Sequence, residues 1–320
     1  MTPADLSLTV QHAVRRAVDD GALRVDVPPR VKVEKARPGG VGEYASSVAL
    51  SLARPAGRPA LDVATELKAR LDGTAGILSV DITGPGFLNF TLRRESGAAL
   101  VRAVRAAGLS YGQGDALAGR SVRFEPPAEH RATVVVGCLA GLLRGQGADV
   151  SFEAGGERPH VHPGTDETAR LGTDAARWRL LRAAPHDRPL DGPPLLVRHE
   201  RNALFRVQYA HSRARRLLAN GAQLGVHPAD DTDAADPLAA LLRDHPDVLL
   251  AAARHRAPDR VARHLEAVAD ALLGFQHTVL PLGDEKPSVA HRSRLALAEA
   301  AGTVLAGGLS VLGISAPDRI

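Results

Sequence analysis

The spacing of apolar and polar residues predicts a small α+β domain at the start of the chain. Apolar residues recur every four positions from Leu6 to Val18, which is typical of one face of a helix, and Gly21 ends that pattern. Pro59 stands where another helix can begin. The predicted elements are a helix over 6–18, a strand over 25–33, helices over 44–53 and 59–71, and strands over 77–82 and 87–92.

The middle of the chain carries one unit of strand, helix and strand, at 122–124, 133–144 and 150–152. Because a helix connects the two short strands, they are expected to be parallel, as in a doubly wound sheet. No further unit of this kind follows, and residues 153–203 show one clear helical pattern, near 174–181. The pattern therefore predicts a fragment of a Rossmann-like α/β domain.

Helical periodicity dominates the chain after Ala203. The predicted helices are 205–219, 237–255, 259–279 and 288–307. These patterns predict a multidomain α+β protein. Its three expected domains are a small α+β domain over 1–115, a shortened Rossmann-like remnant over 116–203 and an all-α helical bundle over 204–320.

Composition adds a weak indication of a nucleic-acid partner. The formal net charge is +4 with a sequence pI near 9.6, and the excess of basic over acidic residues lies within residues 1–110. No uninterrupted apolar run is long enough to span a bilayer, so no membrane partner and a cytoplasmic location are expected. The one cysteine, Cys138, excludes a disulfide framework and is predicted to be a buried small residue.

Four stretches carry a family resemblance. They are Gly42-Glu43-Tyr44-Ala45 with Gly84-Pro85-Gly86-Phe87-Leu88-Asn89-Phe90, Leu171-Gly172-Thr173-Asp174-Ala175-Ala176-Arg177-Trp178, Val207-Gln208-Tyr209-Ala210-His211-Ser212-Arg213, and Leu312-Gly313-Ile314-Ser315-Ala316-Pro317. In this order they resemble the arginyl-tRNA synthetase family. The resemblance implies an N-terminal additional domain, part of a class I catalytic domain and a helical anticodon-binding domain of the DALR type.

The resemblance also implies tRNA as the partner, with arginine tRNA the expected species and DNA not expected. In the first domain, an exposed Phe87 and Asn89 would stack on and read an unpaired base. The alternative is that Phe87 and Phe90 belong to the core. In the helical domain, the tRNA-binding residues would lie on one helical face, where the alternative is a solvated basic face with a half-buried tyrosine. These residues are Arg206, Tyr209, Arg213 and Arg216.

The catalytic centre that the resemblance implies is depleted in this chain. Class I synthetases bind ATP with a His-x-Gly-His turn and a lysine-rich loop. The corresponding turn falls on 127–130, where only His130 remains and Glu129 replaces the glycine. No lysine occurs between Lys68 and Lys286, so the cation clamp on pyrophosphate would be missing. No catalytic residue beyond the remnant His130 and no cofactor are therefore expected; ATP would be one only for an active ligase.

Two further points complete the sequence prediction. His160 and His162, with His130 or Asp166, have a spacing compatible with a metal, but a polar loop with chance histidines is favoured and no metal is expected.

The predicted function is binding of tRNA without autonomous aminoacylation. The alternatives are a protein-interaction module that partners another enzyme, and an active arginine-tRNA ligase with an unorthodox ATP site.

Overall fold

The structure is a computed structural model that describes residues 3–36, 41–92, 97–229 and 237–320. The chain forms two compact units, the N-terminal unit Met1–Arg94 and the C-terminal unit Glu95–Ile320. The expected boundaries at 115/116 and 203/204 both lie within the second unit, and the three-domain division stays a prediction.

The N-terminal unit is an antiparallel sheet packed against helices. Its elements are α1 (Pro3–Asp19), β1 (Glu34–Lys35), β2 (Tyr44–Ser46), α2 (Val48–Ala56), α3 (Ala60–Leu71), β3 (Ile77–Thr83) and β4 (Phe87–Leu92). The strand order is β1-β2-β4-β3. The inner face of β4 buries Leu88 and Phe90 completely, together with the apolar faces of α1 and α3. The predicted helices at 6–18 and 59–71 and the predicted strands at 77–82 and 87–92 are confirmed.

Two local predictions in this unit are wrong. Residues 25–33 form no strand, because Pro28 and Pro29 cannot donate to a ladder and side chains of α1 bond this segment instead. The amide of Gln11 donates to the Pro28 carbonyl at 2.8 Å. The predicted helix at 44–53 begins only at Val48, because residues 44–46 pair with β4 as strand β2.

The C-terminal unit combines a parallel strand pair with a helical bundle. Its elements are α4 (Gly97–Ala107), β5 (Ser121–Phe124), α5 (His130–Arg144), β6 (Asp149–Phe152), α6 (Thr168–Leu171), α7 (Thr173–Arg182), α8 (Ala203–Gln223), α9 (Pro237–His255), α10 (Asp259–Phe275) and α11 (Val289–Val311). β5 and β6 pair in parallel, which confirms the predicted crossover through α5. The multidomain α+β class is confirmed as well.

The core of this unit is built around α11, which packs against α8, α9 and α10. Among the described residues, α11 is the one helix long and apolar enough to cross a membrane, but 67% of its most apolar window is buried by its neighbours. Such burial is typical of a core helix in a bundle. Cys138 on α5 is buried as predicted, and burial raises the pKa of its thiol to about 12, so the reactive thiolate is suppressed.

Candidate nucleic-acid interface

The start of α5 is occupied by the protein's own carboxylate. Glu129 is the N-cap residue, and its Oε2 accepts a hydrogen bond from the backbone N–H of Ala132 at 2.8 Å. Its Oε1 accepts a second bond from the backbone N–H of Gly164, also at 2.8 Å. Burial alone would raise the pKa of Glu129, but these backbone N–H groups lower it, so the carboxylate stays charged. A helix N-terminus that could attract phosphate is thereby neutralised.

Arg131 fixes the segment that covers this helix start. Its side chain is completely buried, and its guanidinium donates to five backbone carbonyls. The acceptors are Leu180 at 2.9 Å, His162 at 3.0 Å, Asp187 at 2.5 Å, Ala183 at 3.2 Å and Ala184 at 3.0 Å. Burial lowers the pKa of Arg131. An arginine guanidinium nevertheless stays protonated in proteins. Residues 162–187 are therefore tied to α5 by a buried cation.

The Glu129 and Arg131 contacts together form what we call the α5 seal. Two other residues of the expected catalytic centre are His130 and Arg158. His130 Nε2 is 3.8 Å from Asp166 Oδ1, and both side chains are partly exposed. Arg158, which stands where a lysine loop would supply a cation, forms an ion pair with Glu125. No group of three or more potential metal ligands occurs among the described residues.

A second feature of the C-terminal unit is a cleft of about 570 Å³, which we call the α7–α8 cleft. Its lining includes Asp174 and Phe205, the exposed cations Arg198 and Arg319, and Ile320. Neither Arg198 nor Arg319 makes a side-chain hydrogen bond or ion pair with another described residue. An open cleft of this size, with an aromatic side chain and two available guanidinium groups, can take one nucleotide of a single strand.

Two chain segments form walls of the α7–α8 cleft. The 195–202 loop is held by Asn202, whose amide donates to the carbonyls of Leu195 at 2.9 Å and Val197 at 3.0 Å. The same side chain caps α8 by accepting from the Phe205 backbone at 3.2 Å. The opposite wall is residues 312–320, which follow α11.

The predicted basic face of α8 is largely engaged within the unit. Arg206 forms an ion pair with Asp270 of α10 at 2.5 Å, and Arg213 donates to Gln276 at 2.6 Å. Arg216 is exposed. Tyr209 is 39% exposed, and its ring stacks on Phe205 with centroids 5.8 Å apart. Of the four predicted residues, Tyr209 is thus connected to the α7–α8 cleft and Arg216 is open to solvent.

The N-terminal unit has its own cleft, of about 400 Å³, on the outer face of the sheet. Phe87 and Asn89 both line it, beside Lys32 and Lys35 of the 32–36 segment. Phe90 is fully buried, and so the core alternative is correct for that residue. It is wrong for Phe87, which is 39% exposed.

The expectation that Asn89 is exposed needs correction. It is only 6% exposed because it lies on the central strand β4 and its amide donates to Thr83 Oγ1 at 2.6 Å. Its amide nitrogen is thus engaged within the sheet, and Asn89 lines the cleft with little exposed surface.

Sequence reasoning missed Arg198, Phe205 and Arg319. Phe205 lies four residues before Tyr209, a spacing that brings two aromatic rings together on a helix, so this one could have been found. Arg198 and Arg319 are 121 positions apart in irregular segments, and no local pattern joins them.

Comparisons with known proteins show which family this chain resembles. Residues 6–92 match the family model described as arginyl tRNA synthetase N terminal domain, and residues 207–320 match the DALR anticodon binding domain. An arginine-tRNA ligase of Frankia alni is 40% identical over 202 residues, which are 60% of this chain and 35% of that protein. A second, of Pseudarthrobacter chlorophenolicus, is 24% identical in an alignment over 555 residues that covers all of both chains. The chain belongs to the arginyl-tRNA synthetase family.

The aligned part of the Frankia alni ligase is about a third of its length, whereas the two family models cover both ends of the present chain. Among solved structures, Thermus thermophilus arginyl-tRNA synthetase matches with a TM-score of 0.67 at 14% identity and covers all of both chains. This similarity shows the synthetase fold. The 320 residues here align over 555 positions, and the family's two terminal domains therefore enclose a much shorter middle.

Proposed function

We propose that this synthetase-family chain binds tRNA, with arginine tRNA the expected species, in the cytoplasm, and that it forms no arginyl-adenylate by itself. The three-domain division at residues 115 and 203 is part of this proposal. RNA would contact the N-terminal cleft at Phe87 and Asn89 and the C-terminal unit at the α7–α8 cleft, Tyr209 and Arg216.

Two kinds of observation support RNA binding. Each unit has a cleft lined by an aromatic side chain and basic residues, the exposed Phe87 in one and the half-buried Phe205 in the other. Proteins hold unpaired nucleotides with this combination. Arg198 and Arg319 are also available for phosphate, because no described residue pairs with them. The match to an anticodon-binding domain over residues 207–320 includes Gln208, Arg319 and Ile320 of the second cleft, which supports RNA contact on that side of it.

The observation that carries the non-catalytic half of the proposal is the position of the Glu129 carboxylate. It accepts backbone N–H groups at the start of α5 and from Gly164, so an incoming triphosphate would meet a negative charge instead of free donors. The Arg131 bonds keep residues 162–187 in place over this site. Opening it would break a buried hydrogen-bond network.

A gel-shift titration with arginine tRNA tests the binding half. Affinity is expected to fall steeply with salt, because guanidinium groups release counterions from phosphates. Arg319→Glu should weaken binding by about tenfold and reduce the salt slope by about one. Arg188→Glu is the matched control, since Arg188 is exposed in the same unit but does not line the cleft. Equal loss in both variants would show a general charge effect and remove the cleft from the proposal.

Exchange of labelled pyrophosphate into ATP tests the catalytic half. With arginine and arginine tRNA present, the rate is expected to equal the background without enzyme, because the α5 start is sealed. The measurement needs a matched sample in which tRNA binding is demonstrated, so that an inactive preparation is recognised. Arginine-dependent exchange above background would identify an active ligase with an unorthodox ATP site.

A further inference from the structure

Three of the four stretches that resemble the synthetase family meet at one carboxylate. Asp174 lies in the first turn of α7, Gln208 lies on α8, and Ser315 follows α11. These residues come from the second, third and last stretches, and they are up to 141 positions apart in the chain. In the C-terminal unit they are in direct contact, in a place where no catalytic chemistry has been assigned.

The contacts form a closed set of hydrogen bonds. Asp174 Oδ1 accepts from the Ser315 backbone N–H at 3.1 Å, and Oδ2 accepts from the Ser315 hydroxyl. The Gln208 amide donates to Asp174 Oδ2 at 2.9 Å and to the Ser315 carbonyl at 3.0 Å. Bonds to an ionised acceptor are stronger than bonds between neutral groups. Ser315 is therefore fixed through both its backbone and its side chain.

Neighbouring contacts hold the rest of the 312–320 segment. Arg177 Nε donates to the Leu312 carbonyl at 3.0 Å. A Cβ added to Gly313 would lie only 2.6 Å from the Arg177 guanidinium, so this position favours glycine. Gly313 has φ of +68°, which also favours glycine. Farther along, Ser212 donates to the Asp318 carbonyl at 3.1 Å. α7 and α8 thus anchor the segment at both ends.

This segment is the wall that carries Arg319 and Ile320 into the α7–α8 cleft. We propose that Asp174 is a positioning residue for RNA binding: it orders residues 312–320 and so sets Arg319 and Ile320 for contact with a single-stranded nucleotide. The inference rests on the proposed tRNA binding and deepens it. It gives the remnant of the catalytic domain a role, because α7 now supplies the anchor for the RNA-binding wall.

Asp174→Ala tests this inference, because two explanations predict opposite changes in RNA affinity. Asp174 lines the cleft, so removing its negative charge should strengthen RNA binding if electrostatics alone mattered. Positioning predicts the reverse, with affinity for arginine tRNA about tenfold weaker, because the binding-competent segment is populated less. The salt slope should stay as in the wild type, since the bound state keeps the same phosphate contacts.

The control is Asp191→Ala, which removes the same charge from an exposed residue outside the cleft lining and should leave affinity unchanged. Thermal unfolding followed by circular dichroism checks that the helices remain. Should Asp174→Ala fail to fold, Ser315→Ala tests the inference instead. It keeps the charge of Asp174 and removes the hydroxyl that donates to Asp174 and accepts weakly from Gln208, so it should weaken binding about threefold. Wild-type affinity in the folded Asp174 variant would overturn the inference, whereas absence of tRNA binding by the wild type would instead refute the proposed function.

Discussion

Replacing Arg131 with methionine should lower the free energy of unfolding of the C-terminal unit by about 4 kcal/mol. The substitution keeps an unbranched side chain of similar length but removes every donor, which leaves five backbone carbonyls without their present partner in the interior. Relief of the buried charge offsets only part of this loss, because the carbonyl dipoles already solvate that charge. Urea denaturation of the full chain, followed by helical circular dichroism, measures the change.

Arg102→Met is the matched control, because Arg102 is an exposed arginine on α4 in the same unit. It should change stability by less than about 0.5 kcal/mol. Arg131→Lys should lower stability by an amount between those of Arg131→Met and Arg102→Met. An ammonium group has three donors and cannot reach all five carbonyls. A loss below about 1 kcal/mol for Arg131→Met would mean that water replaces the guanidinium at little cost, and the seal over α5 would then be weak.

Local patterns predicted the elements whose partners are near in sequence. The β5–α5–β6 unit was found because one helix connects its two strands within a short stretch. The strand assigned to 25–33 failed where alternation competed with two prolines. Helix α4 was missed because Leu100, Val101 and Val104 cover only about one turn of apolar face. Periodicity is least informative for such short segments.

The candidate site shows a second limit of prediction from the sequence, which concerns contacts between distant residues. Glu129 was recognised from the sequence as a negative charge beside a place for triphosphate, and the structure adds that it caps the helix. The acceptors of Arg131 were not predictable, because they are backbone carbonyls 31 to 56 positions away and any residue type supplies a carbonyl. Arg206 and Arg213 were correctly placed on α8, but their partners on and beyond α10 depend on how the helices pack.

Helix α7 contacts both the start of α5 and the 312–320 segment. The carbonyls of Leu180 and Ala183, at the end of α7, are acceptors for Arg131, whereas Asp174 at its start anchors Ser315. One short helix therefore contacts Arg131 of α5 at one end and the proposed RNA-binding wall at the other.

Acid should destabilise the C-terminal unit well above the pH at which carboxylates titrate. His245 and His264 are buried with ring centroids 5.2 Å apart, and His245 stacks on Tyr111. His245 Nδ1 and His264 Nε2 have no hydrogen-bond partner in the described part of the chain. Burial, with a smaller effect of His264, lowers the pKa of His245 to about 3. Burial lowers the pKa of His264 to about 4, partly opposed by Asp244.

The direction in which pH changes the stability of the unit follows from proton uptake by the unfolded chain. Above pH about 6.5 both states hold neutral imidazoles and stability is complete. As the pH falls further, the unfolded chain binds protons that the folded unit excludes, until the pH reaches the folded pKa values. For two imidazoles the loss between pH 7 and pH 5 is about 3–4 kcal/mol. Glu129 does not contribute in this window, because its pKa is lowered from an ordinary value that is already below 5.

Urea denaturation at pH 7, 6 and 5 measures this dependence. His245→Phe keeps a ring against Tyr111 and cannot be protonated, so the loss between pH 7 and pH 5 should be halved. His186→Gln is the control, because His186 is exposed and should leave the profile unchanged. Nearby Asp259 is buried and pairs with Arg263 at 3.3 Å, so Asp259→Asn serves to separate any carboxylate contribution. If His245→Phe shows the wild-type pH profile, the acid sensitivity does not come from this buried pair, and exclusion of protons from the helical core is refuted as its cause.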